Sequence, residues 1–190
     1  MRIGGGTWKG RKISSFGGGY RPTSGIVKKS LFDTLGEGIE GSRFLDVFAG
    51  AGAVGLEALS RHADFVCFIE NDNSRVNVLK RNLEKLGVEQ GLWEILALDY
   101  SRALGLLRDR GETFDYLFVD PPYDGPPPQR ILGDIVASRT LAEDGVVVFE
   151  AARKVGRSLL ENAPVELYPL RERLLGGTAL IFFRWRRSQQ

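Results

Sequence analysis

Apolar positions in this chain follow two periods. Between residues 43 and 149, short continuous apolar runs alternate with stretches in which apolar residues recur every third or fourth place. Phe44-Leu45-Asp46-Val47-Phe48, Phe65-Val66-Cys67-Phe68-Ile69 and the segments 93–98, 115–119 and 145–149 read as strands, rich in β-branched and aromatic side chains. Val54 to Arg61 and Ser74 to Leu86 read as helices. In the second, Val76, Leu79, Leu83 and Leu86 share a face and Gly87 supplies the stop. Strands alternating with helices predict a parallel sheet with right-handed crossovers, and strands apolar throughout predict burial on both faces. Upstream, Ile26, Val27, Leu31, Phe32 and Leu35 predict an amphipathic helix over 24–36, with Lys28 and Lys29 on its wet side. Downstream, Val165 to Leu170 and Ala179 to Trp185 read as two further strands, and Gly176-Gly177 allows them to pair as a hairpin. The first twenty residues are Gly-rich and basic, suited to short strands or ordered loops but not to a buried helix.

Composition narrows the class. With 190 residues, 43% hydrophobic and 26% charged, the chain fits one globular domain. No apolar run approaches the ~20 residues a bilayer crossing needs. Met1-Arg2-Ile3-Gly4-Gly5-Gly6 lacks the apolar stretch of a secretory signal. Cys67 is the only cysteine, which excludes an internal disulfide framework and a cysteine cluster for zinc; no metal site is expected. These features predict a cytoplasmic protein with no membrane association. The net charge of +2 hides an asymmetry. Residues 1–44 carry eight Lys/Arg against three Asp/Glu, residues 45–150 ten against 18, and residues 151–190 eight against three. An acidic middle with basic ends predicts a central domain that does chemistry and flanks that meet an anionic partner.

Two motifs carry the chemistry. In Asp46-Val47-Phe48-Ala49-Gly50-Ala51-Gly52-Ala53-Val54-Gly55, glycines 50, 52 and 55 fit the G-x-G-x-x-G template between a strand and a helix. Glu70 ends the next strand, where a carboxylate can bind both hydroxyls of a ribose. The template alone admits NAD or S-adenosylmethionine. Asp46 favours the second, because a carboxylate repels a pyrophosphate but attracts an ammonium and a sulfonium. The other motif is Asp120-Pro121-Pro122-Tyr123, at the carboxyl end of an apolar strand, where α/β sheets bind ligands. Two prolines fix the backbone and remove two N–H donors, so carbonyl acceptors and the Asp120 carboxylate remain to receive an amino group's hydrogens. Tyr123 offers a face on which a base can stack.

Asp-Pro-Pro-Tyr here resembles the amino-group methyltransferases acting on adenine N6 or guanine N2. The likeness narrows with Met1-Arg2-Ile3, Gly5-Gly6, Lys9-Gly10-Arg11-Lys12, Arg21-Pro22-Thr23, Leu31-Phe32, Phe44 to Gly50 and Gly55 to Arg61. Together these resemble the bacterial 16S rRNA guanine-N2 methyltransferase family over nearly the whole chain. The N-terminal blocks are its specific part. The resemblance implies an α/β, Rossmann-like class I methyltransferase fold: a seven-stranded, mostly parallel sheet with helices on both faces and a small N-terminal extension. Residues 1–40 would be the basic RNA-contacting extension and 41–190 the methyltransferase domain. It implies that Asp46, Gly50 and Gly52 hold the methionine portion of S-adenosylmethionine, Glu70 the ribose and Asp99 the adenine edge. Phe48, Asn71 and Tyr100 join them around the cofactor. Asp120, Pro121, Pro122 and Tyr123 meet the target amine, and Trp8, Arg11, Arg21 and Lys28 are the candidate RNA contacts. The substrate implied is small-subunit rRNA within an assembling 30S particle, and the enzyme a monomer. Ile26 stands where the family usually has a basic residue, Lys29 where an acid is usual and His62 where glycine is commoner. The rival readings are an NAD-linked oxidoreductase, an N6-adenine methyltransferase on DNA or RNA, a protein glutamine methyltransferase, and a catalytically inactive RNA-binding assembly factor.

Overall fold

The computed structural model of the chain describes residues 1–15 and 24–186. Its seven strands form a mostly parallel sheet, and the chain divides into two compact units, Met1–Tyr100 and Ser101–Gln190.

The first unit contains α1 (Gly25–Leu35), β1 (Arg43–Val47), α2 (Gly55–Ser60), β2 (Phe65–Ile69), α3 (Asn73–Leu86) and β3 (Trp93–Leu96). Its strands lie in the order β3-β2-β1 and run parallel, with Leu45 level with Cys67 and Cys67 level with Glu94. Phe44, Leu45, Val47 and Val66 to Ile69 are all buried, as strands apolar on both faces require. Cys67 is thus a core residue. Capping follows the local sequence. The Ser24 side chain accepts from the Val27 N–H at the start of α1, and Asp72 accepts from the N–H groups of Ser74 and Arg75 at the start of α3. Gly87 ends α3 in the left-handed conformation, at φ +70°.

Residues 1–13 fold back on themselves through an antiparallel bridge between Arg2 and Lys12, with Ile3 and Ile13 buried. They then lie along α2: Thr7 N–H donates to the Ser60 carbonyl (2.7 Å), Trp8 N–H to Ser60 Oγ (2.9 Å), and Ser60 Oγ to the Gly5 carbonyl (2.7 Å). Lys28 corrects the expectation of a wet lysine on α1. It is buried, because Glu57 of α2 faces it: Lys28 Nζ lies 2.7 Å from Glu57 Oε2 and also donates to the Arg2 carbonyl at 2.9 Å. Lys29, one position on, is exposed as expected and pairs with Asp33.

The second unit contains most of α4 (Tyr100–Asp109), then β4 (Phe114–Val119), α5 (Pro128–Ser138), β5 (Leu141–Ala152), α6 (Arg153–Glu161), β6 (Leu167–Leu175) and β7 (Thr178–Trp185). Its strands lie in the order β4-β5-β7-β6; β4 and β5 are parallel, and β7 is antiparallel to both its neighbours. The expected hairpin is present, with Leu175 level with Thr178 and Gly176 at φ +63° in the turn. Two strands are longer than the apolar runs that announced them. β5 begins at Leu141, paired to Phe114, passes through a register shift that contains the polar Glu143 and Asp144, and continues to Ala152, paired to Thr178; β7 holds the polar Glu150 in extended backbone. β6 reaches Leu175 because β7 pairs with it along its length, although most of its side chains are exposed. On β4, half-buried Tyr116 has its phenol pKa raised, chiefly by burial, then by Asp115 beside it, with Arg184 acting the other way. Among the described residues, no helix is long and apolar enough to cross a membrane.

Candidate active site

The glycine turn of the first unit sits between β1 and α2, and its backbone is what glycine permits. Phe48, Gly50 and Gly52 have φ of +66°, +57° and +81°, the left-handed region. Phe48 is the exception for a residue with a side chain, and strain of that kind clusters at ligand sites. A Cβ on Gly52 would stand 2.3 Å from Leu79 Cδ1, and one on Gly55 2.3 Å from Phe68 Cε1. At Gly52 and Gly55 the turn is therefore pressed against α3 and β2, and a larger residue there makes Leu79 or Phe68 shift.

Two buried carboxylates fasten this turn. Asp46 Oδ2 accepts the Gly55 N–H at 2.8 Å, at the first residue of α2. Glu70 Oε2 accepts the Gly50 N–H at 2.9 Å, while its Oε1 accepts the Asp72 N–H at 2.9 Å. Arg75 Nη1 stands 3.8 Å from Glu70. The consequence for the ligand is direct. A dinucleotide's pyrophosphate needs backbone N–H groups at the start of this helix. Here Gly55 N–H is already held by Asp46, with two negative side chains flanking the turn. Anionic charge is disfavoured, and a cationic ligand fits. Phe48 and Tyr100 bring their rings to 5.1 Å between centroids, tilted 41°, beside the same turn. Tyr100 is buried, whereas Asn71 and Asp99 are exposed.

Sequence reasoning overlooked two parts of this unit. Asn82, fully buried on α3, donates from Nδ2 to the Ala51 carbonyl inside the glycine turn and to the Ser14 carbonyl, both at 3.0 Å; its Oδ1 accepts the Ser14 N–H at 2.8 Å. An asparagine beside the apolar positions Leu79, Leu83 and Leu86 was the available signal. The other is Glu57, 1% exposed, which accepts from Lys28, from Arg61 Nη2 at 3.0 Å and from the Gly4 N–H at 3.2 Å. Of the expected RNA contacts, Arg11 is exposed and caps α3, donating to the Lys85 carbonyl at 2.9 Å. Trp8 is half-buried against α2. Lys28 is committed to Glu57, a correction for a side chain expected to reach solvent. Arg21 lies outside the described residues.

In the second unit, Asp120-Pro121-Pro122-Tyr123 leaves the carboxyl end of β4. The Gly125 N–H donates to the Pro122 carbonyl at 2.9 Å, folding Pro122–Gly125 into a turn. That turn engages one lone pair of the Pro122 carbonyl. Asp120, Pro121 and Pro122 are half-buried, and Tyr123 is 90% exposed.

Relatives of known description match most of the chain. The family described as "Conserved hypothetical protein 95" matches residues 1–184. "Ribosomal RNA small subunit methyltransferase D" of Escherichia coli K12 is 33% identical over 180 residues, covering 94% of this chain and 87% of that protein. The Haemophilus influenzae protein of the same name is 39% identical over 127 residues, covering 65% of this chain and 64% of that one. Among solved structures, the Escherichia coli protein yhhF, described as a methyltransferase, superposes with a TM-score of 0.84 at 28% identity over 99% of both chains. The chain belongs to the conserved hypothetical protein 95 family, that of small-subunit rRNA methyltransferase D, and has its Rossmann-like α/β methyltransferase fold.

Proposed function

We propose that this chain transfers a methyl group from S-adenosylmethionine to the exocyclic N2 amine of a guanine in small-subunit rRNA. The observation that carries this reading is the glycine turn fastened by Asp46 and Glu70, a cradle suited to a cationic nucleoside and unsuited to a pyrophosphate. Asp46, Gly50 and Gly52 hold the methionine portion, Glu70 the ribose and Asp99 the adenine edge, with Phe48, Asn71 and Tyr100 around them. When bound, S-adenosylmethionine supplies a methyl group already activated by its sulfonium.

The chain's own residues then act on the amine. The N2 lone pair is delocalised into the guanine ring, which makes it a poor nucleophile. Asp120 and the Pro121 carbonyl accept its two hydrogens, which localises the lone pair away from the ring. Nitrogen gains the methyl and loses one proton toward Asp120. Positioning and electrostatics supply the rate, and no His or Cys takes part. Tyr123 stacks on the base once it leaves its own stack, offsetting ~1–3 kcal/mol of that step. Trp8, Arg11 and Arg21 of the basic N-terminal extension, residues 1–40, approach the RNA, while Lys28 stays in its buried ion pair. The same reading makes the enzyme a cytoplasmic monomer acting on a partly assembled 30S particle.

The test is transfer of labelled methyl to small subunits from a strain lacking its own guanine-N2 enzyme, run beside Asp120→Ala. We expect label in N2-methylguanine, a loss of at least ~100-fold in turnover for the variant, and cofactor affinity unchanged within about twofold. Label in N6-methyladenine overturns the base assignment; no transfer to any RNA overturns the reading.

A further inference from the structure

Within the second unit, the strand register sets what surrounds the Asp120–Tyr123 turn. β4 and β5 are parallel, with Val119 level with Phe149, so Asp120 leaves β4 level with Glu150, which is still in β5 and paired with Leu180. β5 continues to Ala152 and turns directly into α6 at Arg153. From Tyr123 a short loop leads into α5 at Pro128. Gln129 Nε2 donates to Ser158 Oγ at 3.4 Å, tying the first turn of α5 to α6. The opening turns of both helices therefore flank the proposed amine site.

These turns are cationic. Arg130 lies in the first turn of α5, Arg153 and Lys154 in the first turn of α6, and Arg157 one turn on; all four are exposed. Gly156 and Leu159 are buried, Gly156 against Ala179 and Ile181 of β7. Helical spacing then puts Arg153, Lys154 and Arg157 on the outward side, with Lys154 and Ser158 turned toward α5. The two acids on these helices, Asp134 and Glu161, do not cancel the charge of the four cations. Asp134 is 3.9 Å from Arg130 and Glu161 3.7 Å from Arg157, in exposed pairs that hold weakly, and Asp124 is exposed in the intervening loop. Moreover, α6 has no acidic residue in its first turn and no side-chain cap at Ala152. Cations there oppose the helix dipole and destabilise the isolated fold, a local conflict that an external anion resolves. Tyr123, 90% exposed in the adjoining turn, presents a stacking face beside them. Regularly spaced negative charge together with stackable bases describes unpaired RNA.

We propose that Arg130, Arg153, Lys154 and Arg157 form a phosphate-binding rim that grips the RNA backbone on either side of the target nucleotide. The proposal rests on the RNA methyltransferase reading and adds to it a contact surface outside the N-terminal extension. It is tested with the full chain by filter binding of radiolabelled, protein-free 16S rRNA over a series of KCl concentrations, alongside methyl transfer to small subunits. Each phosphate contact contributes roughly 0.7–0.9 to the slope of log affinity against log salt. In Arg153→Ala/Lys154→Ala the slope should fall by about 1.4–1.8, with affinity down at least ~10-fold near 100 mM salt. S-adenosylmethionine affinity and the circular dichroism spectrum should stay unchanged, and Arg153→Lys/Lys154→Arg should restore the slope. An unchanged slope in the alanine variant, with the wild type still methylating RNA, overturns the rim and leaves the function standing. So does weaker binding at unchanged slope, which marks an indirect effect on structure. A wild type that neither binds rRNA nor methylates small subunits overturns both.

Discussion

Single buried residues decide how the N-terminal segment is held. Glu57, 1% exposed, is the one carboxylate between Lys28, Arg61 and the Gly4 N–H, and Arg61 also stacks on Phe32 with 4.7 Å to its ring centroid. Removing it leaves the Lys28 ammonium buried beside one backbone carbonyl. Glu57→Ala should therefore cost ~3–5 kcal/mol, read as a lower urea midpoint at constant slope. Lys28→Met/Glu57→Leu, which removes both charges, should cost much less. If the single and double variants lose the same stability, the ion pair is not the reason Glu57 matters. Tyr116 gives a second residue-scale test. Burial raises its folded pKa above the ordinary value of 10.0. Unfolded chains then lose the proton first, so stability is intact below about pH 10 and falls as pH rises toward the folded value. Tyr116→Phe should show a shallower alkaline decline in denaturant titrations above pH 10; an equal slope in both proteins would remove the effect.

At the scale of elements, the glycine turn joins sequence, packing and function most tightly. Gly52 has φ +81° and only 2.3 Å between a would-be Cβ and Leu79 Cδ1. Gly52→Ala meets both obstacles at once. It should lower S-adenosylmethionine affinity by more than ~10-fold and stability by ~1–3 kcal/mol through strain and overpacking. Calorimetric titration with thermal unfolding checks this, and a variant binding as tightly as wild type would detach the turn from the cofactor. This turn was legible in sequence because its glycines, β1 and β2 are specified locally. So was α3, whose apolar face and Gly87 stop it announces. By contrast β5 and β6 were read short. Their outer residues are polar or exposed, and only pairing with β4 and β7 makes them strands. Buried Lys28 was illegible for a related reason: its partner lies 29 residues away on another helix. Residue types and spacing gave the Asp120–Tyr123 motif. What they did not give is the turn that follows, closed by the hydrogen bond from Gly125 to the Pro122 carbonyl.

For the molecule as a whole, the proposed labour divides along the chain. Every residue assigned to the cofactor falls within Met1–Tyr100, and every residue assigned to the amine within Ser101–Gln190. Cofactor recognition should then survive changes at the amine site, and it should be visible without RNA. A ligand that binds only the folded chain stabilises it by about RT ln(1 + [L]/Kd), or ~2.7 kcal/mol at a hundred times Kd. For a chain of this length that corresponds to a rise in Tm of roughly 5–10 °C. S-adenosylmethionine and S-adenosylhomocysteine should both produce the shift, in wild type and in Asp120→Ala alike. NAD should produce none, since its pyrophosphate would face Asp46 and Glu70 with the Gly55 N–H already taken. A shift with NAD and none with S-adenosylmethionine would reverse the cofactor assignment while leaving the fold as it is. A shift confined to wild type would show that Asp120 takes part in holding the cofactor as well as the amine.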